Sequence, residues 1–176
     1  VFHNDRAGFL APIERADARI TKKPFGLKIM PDNSPVQDES FSGYHTGIDF
    51  EILEDELERD VAVQTFCGGQ ILEKRIADGY GGVVVQKCLL DDQGVTVIYG
   101  HLKIESVKRR VGEYLAPGDS LGILGAAFTK ETDGERQHFH FGIHKGTKID
   151  LRGYVEYAVD LDQWLDPWHY MTTQPD

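Results

Sequence analysis

Two cysteines, Cys67 and Cys88, are all that 176 residues contain. They are too few for a disulfide framework or for a zinc site built on thiolates. One disulfide between neighbouring strands and two buried thiols both fit that count. Long apolar runs are also missing. The longest uncharged stretch, Val61 to Leu72, is about 12 residues, whereas a membrane helix needs ~20 apolar ones, so no membrane-spanning segment is expected. Basic residues are scarce, with 19 Lys and Arg against 29 Asp and Glu and a net charge of −10. The densest basic cluster, Lys108-Arg109-Arg110, reads as a solvated loop in an acidic chain. Nucleic acid and anionic membranes are therefore poor partners, because gripping phosphates takes basic patches. No Pro- or Ser-rich linker divides the chain, and no long internal repeat appears.

The composition is globular, 40% hydrophobic and 27% charged, which excludes wholesale disorder. The length suits one domain with a short extension, large enough for a core without staples. The sequence begins at Val1 rather than Met, as expected of a processed or cut N-terminus. Strands dominate the pattern: residues 44–52, 61–66, 70–76, 83–90, 95–101 and 138–144 alternate or carry β-branched residues between Gly-rich turns. Residues 32–43 read as a long loop and the acidic run 54–60 as a solvated one. Residues 161–171 are expected to hold helical turns. The fold class is all-β, a small, mostly antiparallel sandwich or partly open barrel.

Seven histidines carry most of the candidate chemistry. In Tyr44-His45-Thr46-Gly47-Ile48-Asp49-Phe50, His45 and Asp49 share strand parity but would lie ~13 Å apart on a regular strand. Gly43 and Gly47 offer the bend that closes this gap. In Gln137-His138-Phe139-His140-Phe141, the histidines share one face and the phenylalanines the other. The histidine face would line a groove and the phenylalanine face would meet a core. Imidazole and carboxylate together suit zinc, and a catalytic zinc keeps three protein ligands and one open position. Two histidines and Asp49 make that count and leave further histidines to move protons. Either pattern alone occurs by chance, and the case rests on their combination. Tyr44 and Tyr99, next to candidate site residues, are placed to reach a substrate. His144 has the parity of His138 and His140 and so reaches the groove rim or a solvated strand end. His3 and His169 read as surface or terminal packing, and Trp164 and Trp168 as core or cap.

Three motifs in order, His45-x-x-x-Asp49, Tyr99-Gly100-His101-Leu102 and His138-x-His140, resemble the lysostaphin-type (LytM-like) zinc metalloendopeptidases. Ile20-Thr21 with Phe25-Gly26, Tyr80-Gly81-Gly82-Val83-Val84, Val111 to Gly122 and Asp166-Pro167 are similar to segments of the same family between and around those motifs. The likeness runs over about residues 12–170 and implies a metallopeptidase domain over 12–172 after an N-terminal extension of residues 1–11. It implies one Zn²⁺ per chain on His45, Asp49 and His140, with His101 and His138 as the catalytic pair. The implied activity is hydrolysis of an amide bond in a peptidoglycan stem or cross-link, which puts the protein in the periplasm, outside the cell or in the cell envelope. A catalytically idle binding or regulatory module, or the same fold acting on another peptide, are the alternatives. One departure stands out. Where the family has Ser/Thr-Gly-Pro before the His-x-His, this chain has Asp133-Gly134-Glu135-Arg136-Gln137. The charged loop Lys130–Gln137 is thus expected to wall the groove and set bond preference.

Overall fold

A computed structural model describes residues 8–172. His3 and residues 1–7 of the expected extension lie outside the described residues. Strands are short at first: β1 (Lys28–Ile29), β2 (Gly43–His45), β3 (Gly47–Glu51) and β4 (Ala62–Gln64). The β-branched stretches then give three long strands, β5 (Gly69–Ala77), β6 (Gly81–Leu90) and β7 (Gln93–Leu102). The strands that follow are β8 (Tyr114–Leu115), β9 (Ser120–Ile123), β10 (His138–Lys145), β11 (Tyr154–Val155) and β12 (Trp164–Leu165). A 3₁₀ turn at Ala158–Gln163 and the helix α1 (Pro167–Thr172) supply the helical turns expected near the end of the chain.

All strand pairs are antiparallel. The large sheet runs β12-β10-β7-β6-β5-β8, and β3 also pairs with β10. Strand β10 is thus flanked by β7 on one edge, and by β3 and then β12 along the other. One face of this sheet builds the core, where Ile48, Phe50, Val97, Tyr99, Phe139 and Phe141 are fully buried. Phe50 stacks on Phe139 at 5.8 Å between ring centroids, and Phe66 meets Phe141 edge-on at 5.3 Å. The opposite face carries Asp49, Glu51, His138 and His140, the alternation expected of period-two strands. Phe9 stacks on Phe66, and the Leu10 amide donates to the Phe66 carbonyl. Residues just before position 12 therefore pack on the body. Cys67 and Cys88 form a disulfide that ties the start of β5 to its neighbour β6, which resolves the two readings of the cysteines.

The acidic run is not wholly solvated. It forms a 3₁₀ turn, Glu54–Glu56, whose last member is buried. Both Glu56 oxygens accept from the buried Arg19 guanidinium, at 2.5 and 2.7 Å, and Oε2 also accepts from the Leu53 amide. Arg19 further donates to the Glu14 and Glu51 carbonyls, so this pair fastens the segment before β1 to the end of β3. The Arg19 hydrogen bonds pull the Glu56 carboxyl down to about 2. Because the folded value lies below the unfolded ~4.3, this contribution is complete above ~4.3 and is lost as pH falls toward 2. Glu56→Gln strands the buried guanidinium and should cost ~3–5 kcal/mol at pH 7, lowering Tm by about 10 °C. Melting curves of parent and variant should converge as pH drops from 5 to 2. A gap that stays constant over that range would contradict the pairing.

Candidate functional site

The bend that the His45–Asp49 spacing demands lies at Thr46–Gly47. There the chain leaves the small sheet β1-β2-β11 and enters the large one. The Thr46 amide donates to the Gly153 carbonyl and its hydroxyl to the Arg152 carbonyl. Glycine is required next, because a Cβ at Gly47 would sit 2.4 Å from the Phe141 carbonyl oxygen and 2.9 Å from the His140 ring. Asp49 and His140 are direct cross-strand partners in the β3–β10 register. Three donor atoms thereby converge. His45 Nε2 is 3.1 Å from His140 Nδ1 and 3.2 Å from Asp49 Oδ1, and His140 Nδ1 is 3.1 Å from Asp49 Oδ1. Tetrahedral zinc ligands at ~2.0–2.1 Å from the ion lie ~3.3 Å apart, so this triangle has the right size. The donor chemistry agrees. His45 Nδ1 must donate to the Pro24 carbonyl at 3.2 Å, because a carbonyl only accepts. In that tautomer Nε2 turns its lone pair toward a carboxylate, an arrangement that a cation between them makes favourable.

His138 and His101 stand beside this triangle. His138 Nδ1 donates to the Arg136 carbonyl at 2.9 Å, and its Nε2 is 3.3 Å from Asp49 Oδ2. His101 reaches the same side only through a bulge. The β6–β7 register shifts between Gly82 and Val84, opposite residues 99–102, and His101 takes φ 60°. Tyr99 and Leu102 can consequently both face the core, although their parities differ. The His101 and His138 ring centroids are 4.2 Å apart. Gly100 is forced by crowding: a Cβ there would lie 2.5 Å from the Tyr80 ring. Burial pushes His101 down to about 3, with the neighbouring His140 adding to the shift. Burial also holds His138 well below the ordinary imidazole value and lowers His140. All three rings are thus neutral near pH 7, the form that binds metal or accepts a proton. For Asp49, burial pulls the other way, but His138, His45 and the bond from His140 outweigh it and keep the carboxyl well below its usual range.

Asp49, His101, His138 and His140 form the floor of a cleft of about 310 Å³, with His45 fully buried beneath it. Its walls hold residues that the sequence reading did not single out, among them Lys23, Tyr80, Arg152 and Tyr154. The Lys23 ammonium is buried, bonded to Glu39 Oε2 and, at 2.9 Å, to the Tyr154 hydroxyl. Tyr154 packs its ring 5.2 Å from His45, and Tyr80 sits edge-on to His140 at 5.3 Å. The two tyrosines expected to touch substrate lie elsewhere. Tyr99 is fully buried, donates to Gln86 Oε1 and accepts from the Phe66 amide. Strand parity puts it on the core face. Tyr44 points opposite to His45, with the Lys28 ammonium 5.5 Å above its ring, and is not in the cleft wall. His144 is buried edge-on against Trp164, with Nε2 3.8 Å from Asp150, and is not in the wall either.

The loop before β10 is mostly tied inward. Glu131 accepts from the Ala126 amide and Asp133 from the Gly79 amide. Arg136 forks onto Glu51 and, at 2.9 Å, onto Asp49 Oδ2. The expected charged groove wall reduces to Glu135 and Arg136. Arg136 neutralises Asp49 Oδ2, the oxygen outside the triangle, together with Glu51, the register partner of His138.

Residues 43–151, well over half the chain, match Peptidase family M23, and the chain belongs to that family. No curated protein matches the sequence. Among solved structures, the catalytic domain of the antimicrobial peptidase lysostaphin from Staphylococcus simulans superposes with a TM-score of 0.60 at 17% identity, over 90% of this chain and 96% of that one. Helicobacter pylori Csd3 gives 0.57 at 20% identity, and a zinc-containing peptidase from Vibrio cholerae gives 0.50 at 18%. The chain covers 95% of itself but only 36% of Csd3, and 82% of itself but 41% of the Vibrio peptidase. These likenesses establish the lysostaphin-like β fold.

If Arg136 serves both carboxylates, Arg136→Met should cost ~3 kcal/mol by leaving them side by side with only the half-exposed Lys22 ammonium, 3.7 Å from Glu51, to offset their charge. Adding Glu51→Gln should then cost less than it does alone. Denaturant melts of the two single variants and the double variant measure this coupling. Additivity within ~0.5 kcal/mol would contradict it.

Proposed function

We propose that this peptidase is a zinc-dependent endopeptidase that cuts amide bonds in peptidoglycan peptides, with His45, Asp49 and His140 holding the metal. The observation that carries this reading is the triangle of His45 Nε2, Asp49 Oδ1 and His140 Nδ1 with edges of 3.1–3.2 Å. The Vibrio cholerae peptidase of the same fold, described as containing zinc, supports the choice of metal. So does a donor set of imidazole and carboxylate without thiolate. When bound, zinc supplies Lewis acidity, which brings the pKa of a water down to ~7 and polarises the scissile carbonyl.

The chain's own residues do the rest. His138, its Nδ1–H engaged by the Arg136 carbonyl, keeps Nε2 free to take the proton of the attacking water. His101, ring to ring with it at 4.2 Å, hydrogen-bonds the developing oxyanion or the leaving amine. Asp49 orients through one oxygen toward the histidines while Arg136 holds the other. Pro24 fixes the His45 tautomer through its carbonyl. The peptidoglycan substrate puts the work outside the cytoplasm, in the periplasm or cell envelope, and the Cys67–Cys88 disulfide supports an oxidising compartment.

The purified chain should hold one zinc, and Asp49→Ala should lose it, as read by elemental analysis. His101→Ala and His138→Ala should keep zinc and lose ~10²–10⁴-fold in turnover of purified peptidoglycan sacculi. Released peptides identified by mass should disappear with chelator and return with zinc. Full zinc occupancy in Asp49→Ala, or release unaffected by chelator, would overturn the reading.

A further inference from the structure

Among the charged groups on the cleft wall that the reaction above leaves unused, one stands in a half-buried position without a partner among the described residues. Each cation on the wall already has its anion within the protein. Lys23 is bonded to Glu39, Arg136 to Glu51 and Asp49, and Arg152 to Asp150 at 2.6 Å. Glu135 is different. It lines the same cleft and is half-buried, and its carboxylate makes no hydrogen bond or ion pair among the described residues. Burial raises its carboxyl above the ordinary value, and the nearby charges of Lys23 and Arg136, each already bound to another carboxylate, offset that only in part. The other acid on the wall with no partner among the described residues, Asp78, is exposed.

Glu135 is also held on a firm base. Its carbonyl accepts from the Phe128 amide at 2.8 Å and from the buried Thr132 hydroxyl at 2.9 Å. Asp133, two residues earlier, straps the loop to Gly79 across the cleft mouth. Arg136, the next residue, is clamped by two carboxylates. This carboxylate is presented on fixed backbone, partly dehydrated and three residues before the catalytic His138, with Lys23 and Arg136 acting on it from a distance and no hydrogen-bond donor of its own among the described residues.

We propose that Glu135 binds a primary ammonium group of the substrate peptide and thereby selects peptides that carry a free diamino-acid amine. This rests on the peptidase reading above. A neutral oligoglycine segment offers nothing to this carboxylate, whereas an ammonium forms a charge-assisted hydrogen bond with it.

The test uses the zinc-loaded chain and stem-peptide dimers bearing a free diamino-acid amine, alongside the same dimers after acetylation of that amine. The parent should favour the free amine by about tenfold or more, the range of a hydrogen bond between charged groups. Glu135→Gln, isosteric and uncharged, should erase the preference by raising KM for the free-amine dimer with kcat little changed. The acetylated dimer should be cut equally well by both proteins. Equal loss on both dimers, or a parent indifferent to acetylation, overturns the assignment of Glu135 and leaves the peptidase reading intact. If the parent cuts neither dimer, the peptidoglycan reading fails, and calorimetric binding of the same dimers decides on Glu135. Amine-dependent binding lost in Glu135→Gln then supports the subsite, and binding indifferent to the amine overturns it.

Discussion

Everything at the site depends on the register of β10 against β3 and β7. Pairing His140 with Asp49 on one side and with Gly100 on the other brings the imidazole and the carboxylate into contact. A slip of one residue would turn both histidines into the core and both phenylalanines into the cleft. The core prevents that slip. Phe139 and Phe141, fully buried, stack among Phe50, Phe66 and Tyr99. Each such ring withdraws ~150–250 Å² from water. Strand β10 therefore anchors the fold through Phe139 and Phe141 on one face and lays His138 and His140 on the cleft floor on the other.

Around that floor, charge is managed in pairs. Buried ion pairs contribute little net stability, but breaking one is costly. Their value here is positional. Arg19 with Glu56 fixes the chain segment that runs beside β3, where the Asp49 amide donates to the Lys23 carbonyl and the Glu51 amide to the Arg19 carbonyl. Lys23 with Glu39 draws the long loop between β1 and β2 against the cleft wall. Arg136 joins the loop before β10 to the acidic edge of β3. Three segments distant in sequence are thus fastened around one metal-sized triangle of donors.

Much of this was legible in the sequence, for reasons that differ by residue. His138 and His140 declare their shared face because strand alternation is strict, and Asp166-Pro167 marks the start of the last helix. His45 and Asp49 needed a bend, and Gly47 advertised it. Tyr99 was misjudged because the bulge at Gly100–His101 swaps parity in mid-strand. Position 101, not 99, then opens on the cleft, and a left-handed histidine leaves no trace in alternation. Lys23 and Tyr154 escaped notice because they meet across 131 residues of sequence, and Glu39 because it reaches Lys23 from within a long irregular loop. The loop charges were visible, but their partners, the Gly79 amide and the Glu51 carboxylate, were not. A wall that looked uniformly charged resolves into one clamped arginine and one glutamate with no hydrogen-bond partner among the described residues. The disulfide was undecided in the sequence because spacing alone does not reveal that Cys67 abuts the β5–β6 pair.

The central claim is that His45, Asp49 and His140 bind one metal ion through Nε2, a single carboxylate oxygen and Nδ1. A zinc-loaded crystal, with anomalous difference maps collected on both sides of the zinc absorption edge, tests it most directly. The account predicts one strong peak per chain, bonded to those three atoms at ~2.0–2.2 Å, with Arg136 still on the other oxygen of Asp49. A peak ligated by His138 in place of His140, or no peak between these residues, would contradict it.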